Sequence, residues 1–111
     1  MTVTVKVLIP AKIAEATQST QYTANGVTTI IDKFTATNYS ASAATISVNL
    51  VTVSGTAGDA NLVTKAKTLQ PSEVYTFPEI VGQVLRAGDF ISTIAGTATS
   101  INMRASGREV T

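Results

Sequence analysis

The sequence predicts an all-β fold: an antiparallel β-sandwich or jelly-roll-like domain of about seven or eight short strands, with an extended N-terminal arm. Three observations carry that expectation. Apolar and polar residues alternate with period two in several runs bounded by turn residues, the pattern of strands with one buried face. The chain holds 19 Thr, 12 Val and 9 Ile, so 40 of its 111 residues are β-branched and fit a pleated surface better than a helix. Its three prolines and seven glycines mostly fall between the alternating runs, where they punctuate turns.

Residues 1–16 are expected to form an N-terminal arm or first strand, and residues 17–111 a single sandwich domain. Residues 1–9 set Val3, Val5, Val7 and Ile9 against Thr2, Thr4, Lys6 and Leu8. Pro10 should end this run, because it has no N–H for a ladder and disfavours helix in the residue before it. The segment fits an ordinary first strand, or an arm that adds a strand to a neighbouring subunit's sheet edge through backbone hydrogen bonds. In the second case Val3, Val5, Val7 and Ile9 are the candidate interaction residues, and removing residues 1–10 should leave a folded sandwich. Residues 11–16 have weak helical character and are too short to form a helix alone. Residues 17–23 read as a polar strand anchored by Tyr22. Asn25-Gly26 is a tight turn, since both residues tolerate positive φ.

The strongest pattern runs from residue 27 to residue 53 and reads as a central hairpin. Its first strand puts Ile30, Phe34 and Ala36 on one side and Thr29, Ile31, Lys33, Thr35 and Thr37 on the other. Asp32 interrupts the apolar side, which requires a bulge or a partner for the carboxylate. Asn38, Ser40 and Ser42 are turn formers. The second strand turns Ile46, Val48 and Leu50 inward and Ser47 and Asn49 outward. Residues 54–59 read as a flexible loop without an apolar anchor. Short strands follow at residues 61–69 and 73–77. Residues 78–85, with Ile80, Val81, Val84 and Leu85, read as an irregular turn crossing between sheets and plugging the core. Residues 90–95 and 100–105 then make a closing pair, with Ile101, Met103 and Ala105 on one face, and residues 106–111 read as a tail.

Composition narrows the function classes. Eight basic and seven acidic residues give a formal charge of +1, and they are scattered, whereas a nucleic-acid binder shows a basic stripe. The charged fraction of 14% falls well below the roughly 25% of ordinary soluble domains, which suits a chain packed against other protein. Cys and His are both absent. Disulfides, thiolate nucleophiles, common zinc sites and a Ser–His triad are thereby excluded, and folding in a reducing cytoplasm is favoured. No apolar run approaches the length of a membrane span, and the first residues lack the pattern of a signal peptide.

The carboxylates Glu15, Asp32, Asp59, Glu73, Glu79, Asp89 and Glu109 form no dense calcium-loop pattern. A glycosidase would need two of them across a cleft, and Glu73 with Asp89 is the pair to consider. They read better as turn formers (Asp59, Asp89) and solvated strand or loop residues. The Gly55–Gly58 stretch lacks a Walker lysine. Tyr22, Phe34, Tyr39, Tyr75, Phe77 and Phe90 form no base-stacking platform with interleaved basic residues. No enzymatic activity, cofactor, metal or small-molecule substrate is expected.

Three stretches carry a resemblance: TIIDKFTATNYSASAATISVNLV at 29–51, LQPSEVYTFPEIVGQVLRAGDFIS at 69–92 and INMRASGREV at 101–110. Over roughly residues 20–110 the chain resembles the small virion-associated β proteins of tailed bacteriophages. In these a hairpin of the form T-N-x-S-x-x-x-A-T-V precedes L-x-P-x-E-x-Y and L-x-x-G-D-x-I. The Leu69, Pro71 and Glu73 turn and the Gly88-Asp89 turn also occur in unrelated immunoglobulin-like domains. The resemblance implies a non-enzymatic structural protein, foremost a capsid cement or decoration subunit. Such a subunit is made in the host cytoplasm and sits on the outer face of the head as a homodimer or homotrimer, clamping neighbouring copies of the major capsid protein. The alternatives are a tail, neck or fibre-associated module and a host-surface binding module, because one sandwich serves many roles. No catalytic residues come with the family.

Overall fold

Two antiparallel sheets face each other across an apolar core in the computed structural model, which describes residues 1–111. The strands are β1 (Val3–Ile13), β2 (Ser19–Thr23), β3 (Thr28–Asn38), β4 (Ala44–Val51), β5 (Leu62–Leu69), β6 (Val74–Tyr75), β7 (Val84–Leu85), β8 (Phe90–Ala95) and β9 (Ile101–Val110). The first sheet runs β1-β9-β3, with β6 and β7 both paired to the far side of β3. The second runs β2-β8-β4-β5. The all-β sandwich expected from the alternation is therefore the fold, with nine strands rather than seven or eight.

The connections differ from the expected ones. β3 and β4 belong to different sheets, as do β8 and β9, so neither pair is a hairpin. Among consecutive strands only β4 and β5 pair with each other. The reason is that the buried faces of β3 and β4 pack toward one another across the core, which requires the link at 39–43 to arch over its end. Alternation reports which face of a strand is apolar, not which neighbour it bonds. Residues 78–85 bury Ile80 and Leu85 but stay on the first sheet. Gly82 N–H donates to the Ile31 carbonyl and Ile31 N–H to the Gln83 carbonyl, so this stretch bridges the two short partners of β3.

Bulges reset the inward phase in two strands of the first sheet. In β3 the pairing with β9 slips between Ile31 and Lys33, so Thr29 and Ile31 face inward before the slip and Phe34, Ala36 and Asn38 after it. Ile31 is thus fully buried, and Ile30, expected inside, lies on the outer face. Asp32 sits at the slip and points outward, where Arg108 binds it. β1 slips against β9 between Val7 and Ile9 and again between Ile9 and Lys12. It therefore runs through Pro10 to Ile13, and residues 11–13 are strand, not helix. Pro10 is accommodated because β1 is an edge strand with one unpaired side.

At one end of the core Phe34, Phe77 and Tyr75 stack with ring centroids 4.6 Å apart for each neighbouring pair. Phe77 has φ +48, a left-handed conformation that costs about 1–2 kcal/mol for a side-chain-bearing residue. Complete burial of its ring stabilises by about 2–3 kcal/mol and offsets that strain.

Candidate interaction surface

The outer face of the first sheet carries the main exposed apolar surface. β1 pairs with β9 in the order Val3 with Val110, Val5 with Arg108 and Val7 with Ser106. β9 buries Ile101, Met103, Ala105 and Gly107, so the residues between them, and the valines opposite those, point outward. Across β9, Ile30 stands opposite Arg108 and also opposite Val84 of β7. Val3, Val5, Val7 and Val84 are exposed, Val5 by 84%, and Ile30 and Val110 are half-buried beside them. One ion pair crosses this patch. Arg108 donates from Nε and Nη2 to the two carboxylate oxygens of Asp32, each at 2.9 Å, and holds the Asp32 carboxyl below its ordinary value through that hydrogen bonding.

Of the four expected interaction residues, Val3, Val5 and Val7 lie together on this face. Ile9 does not, because the slip after Val7 turns it fully into the core, with Leu8 beside it. A truncation of residues 1–10 would therefore open the core rather than merely remove an arm.

The free edge of β1 is open over the same residues. Thr2 and Thr111 exchange both backbone hydrogen bonds, which sets the parity of the ladder. In an antiparallel pair the bonded positions alternate, so Thr4 and Lys6 direct their backbone groups toward β9, and Val3, Val5 and Val7 direct theirs away from it. Lysine on an edge usually guards against further strand addition. Here Lys6 reaches back to Glu109 at 3.3 Å, on the inner side of the strand.

Polar networks close the two sheets against each other. The Tyr22 hydroxyl donates to Glu109 and accepts from Thr29, joining β2 to β9 and β3. At the opposite side Glu79 accepts from the Thr64 hydroxyl of β5 and the Tyr75 hydroxyl of β6, so a single carboxylate links both sheets. Burial raises the Glu79 carboxyl most strongly, but the two hydroxyl donors, a backbone hydrogen bond and the charge of Lys67 together outweigh it and the net direction is down. Lys67 lies over the Tyr75 ring at 4.9 Å from its centroid. Burial, then the bond to Glu109, pushes Tyr22 up to about 12, and the bond to Glu79 pushes Tyr75 up to about 12. The folded chain keeps these protons between pH 10 and about 12 while the unfolded chain loses them, so stability is whole below pH 10 and falls as pH rises across that window. Urea unfolding at pH 9 and pH 11 should show this loss, and a Tyr22→Phe/Tyr75→Phe double variant should show less of it. An equal loss in both proteins would refute the assignment.

The outer face of the second sheet is covered differently. Asn49, expected outside, is only 2% exposed because residues 54–61 fold over it. Its amide donates to the Gly58 carbonyl at 2.9 Å and to Asn61 Oδ1 at 2.7 Å, and Asn61 donates to the Thr56 carbonyl. That loop is anchored by amides and by a 3-10 turn at Asp59–Asn61, not free. Beside it lies a shallow depression of about 200 Å³ lined by Gln18, Asn49, Asp59 and Lys65 among others. Gln18 donates to Ser92 and Asn49, so this amide surface is largely engaged with itself.

Both carboxylates of the pair considered from sequence are occupied by backbone N–H groups. Glu73 accepts from the Gln70 N–H, while Asp89 accepts from the Arg86 and Val53 N–H groups. Comparison with protein-family models, with curated proteins and with solved structures finds no match for this chain.

Proposed function

We propose that this chain is a non-enzymatic structural subunit of a tailed-bacteriophage particle, a cement or decoration protein bound to the outer face of the head and to the major capsid protein. The observation that carries the reading is the exposed Val3, Val5, Val7 and Val84 patch on the first sheet, in a chain whose charged fraction is only 14%. Such a surface gains about 25 cal/mol for each Å² of apolar area covered, and many copies on one lattice multiply a modest contact. Low net charge limits repulsion among crowded copies. The resemblance of residues 20–110 to virion-associated β proteins supports the same reading.

Quantitative mass spectrometry of purified particles tests it. Copies on the order of hundreds, in a simple ratio to the shell protein, are expected for a lattice-bound subunit. About a dozen copies would move the chain to the tail or neck, and absence from the particle would overturn the reading.

A further inference from the structure

The open edge of β1 has the geometry to receive a second copy of itself. We infer that two chains associate about a two-fold axis through Val5, pairing β1 with β1 in antiparallel fashion and joining the two first sheets into one. Four observations lead there. Val3, Val5 and Val7 all direct their N–H and C=O groups outward from the edge, as the Thr2–Thr111 pair requires. The stretch from Val3 to Val7 pairs with β9 without a slip, so this edge is regular where the rest of β1 is bulged. The residue that would guard it, Lys6, is drawn back to Glu109. The sequence is self-complementary in one register: Val5 opposes Val5, Val3 opposes Val7, and Lys6 opposes Thr4 of the second copy.

Neighbouring registers are poorer. Centring the axis on Lys6 sets two ammonium groups directly opposite each other, which is destabilising in a cross-strand pair. Centring it on Thr4 draws Met1, outside the strand, into the ladder and leaves fewer strand residues paired. The Val5 register exchanges two backbone bonds in each of three pairs. It also merges the outer valines of both copies into one stripe, continuous with the patch already described. A strand from an unrelated partner would meet the same backbone groups, but nothing in its side chains would select this register. The inference goes beyond the particle reading and is tested on the isolated chain, so either can fail without the other.

The test is solution mass by light scattering at about 50 µM, with the chain of 11.5 kDa expected at twice its mass. Val5→Lys and Val5→Glu each place like charges opposite each other at the axis, at a position 84% exposed in the single chain. Each should keep the wild-type circular dichroism spectrum and weaken self-association by at least about tenfold. Mixing the two variants should restore the dimer, because only a pairing of position 5 with itself sets lysine against glutamate. Val53→Lys, on an exposed residue outside β1, should dimerise as wild type does. A monomeric wild type, a trimer, a dimer indifferent to Val5→Lys, or a mixture that stays monomeric would each overturn the inference.

Discussion

Replacing Gly107 with alanine should destabilise the fold by about 3 kcal/mol or more, lowering the melting temperature by roughly 10 °C or more. Gly107 lies in β9, the strand held between β1 and β3, opposite Lys6 on one side and Ile31 on the other. A methyl group there would press into the Ile30 carbonyl oxygen and come 3.0 Å from Leu8 Cδ1. Neither neighbour moves freely. The carbonyl belongs to backbone at the β3 slip, and Leu8 is packed in the core. Overpacking against a flexible side chain typically costs 1–3 kcal/mol, and here the obstacle is a strand paired on both sides. Gly58→Ala is the matched control. Gly58 has extended backbone, with nothing within 4 Å of the added carbon, so its variant should stay within about 0.5 kcal/mol of wild type. Thermal or urea unfolding of the two variants measures the contrast, and equal stabilities would contradict it.

Asn38→Asp should cost about 4 kcal/mol at neutral pH although it changes no volume. Asn38 is fully buried at the end of β3, and its amide ties that end to the end of β5. Nδ2 donates to the carbonyls of Leu69 and Ser42, both at 2.9 Å, and Oδ1 accepts from the N–H and hydroxyl of Ser40. Two carbonyls on one side and two donors on the other fix the amide's orientation. A carboxylate would aim an anionic oxygen at two carbonyl oxygens and bury a charge with no cation beside it. Burial raises the carboxyl pKa of such a group, so the gap from wild type should narrow as pH falls toward 4. A gap independent of pH, or one below about 1 kcal/mol, would show that the amide network matters less than its geometry indicates.

How much of this could be read beforehand varies by element. The first half of β9 is legible because Ile101, Met103 and Ala105 alternate without a break, whereas its second half, through Val110, has Gly107 and Glu109 on the inward side and shows no apolar alternation. In β3 the position of trouble was legible and its resolution was not. Asp32 called for a bulge or a partner, and the structure has both, the slip beside it and the Arg108 ion pair. The partner lies 76 residues away, and no local pattern points to it. The same limit applies to the outer patch. Val3, Val5 and Val7 stand out as a stripe, but Ile30, Val84 and Val110 join them only through the registers of β1, β9, β3 and β7. Glu79 gave no signal at all, since a carboxylate after a proline looks like loop until Thr64 and Tyr75 converge on it.

The sequence by itself determined the class of fold and the inward side of the unbroken stretches, Phe34 and Ala36 in β3, Ile46 and Val48 in β4, and Ile101 to Ala105 in β9, because burying one face of a strand imposes period two on the residues that form it. It also removed the chemistries that need cysteine or histidine, since no folding can supply a missing side chain. Only the tertiary structure decided which strands pair, where the slips fall, and that β3 and β4 arch across the core instead of forming a hairpin. Those choices depend on backbone bonds between segments distant in the chain, which every sequence can make alike. They are settled by how whole faces pack, and that packing is what leaves Val3, Val5 and Val7 on an open edge while Ile9, two residues on, is sealed inside.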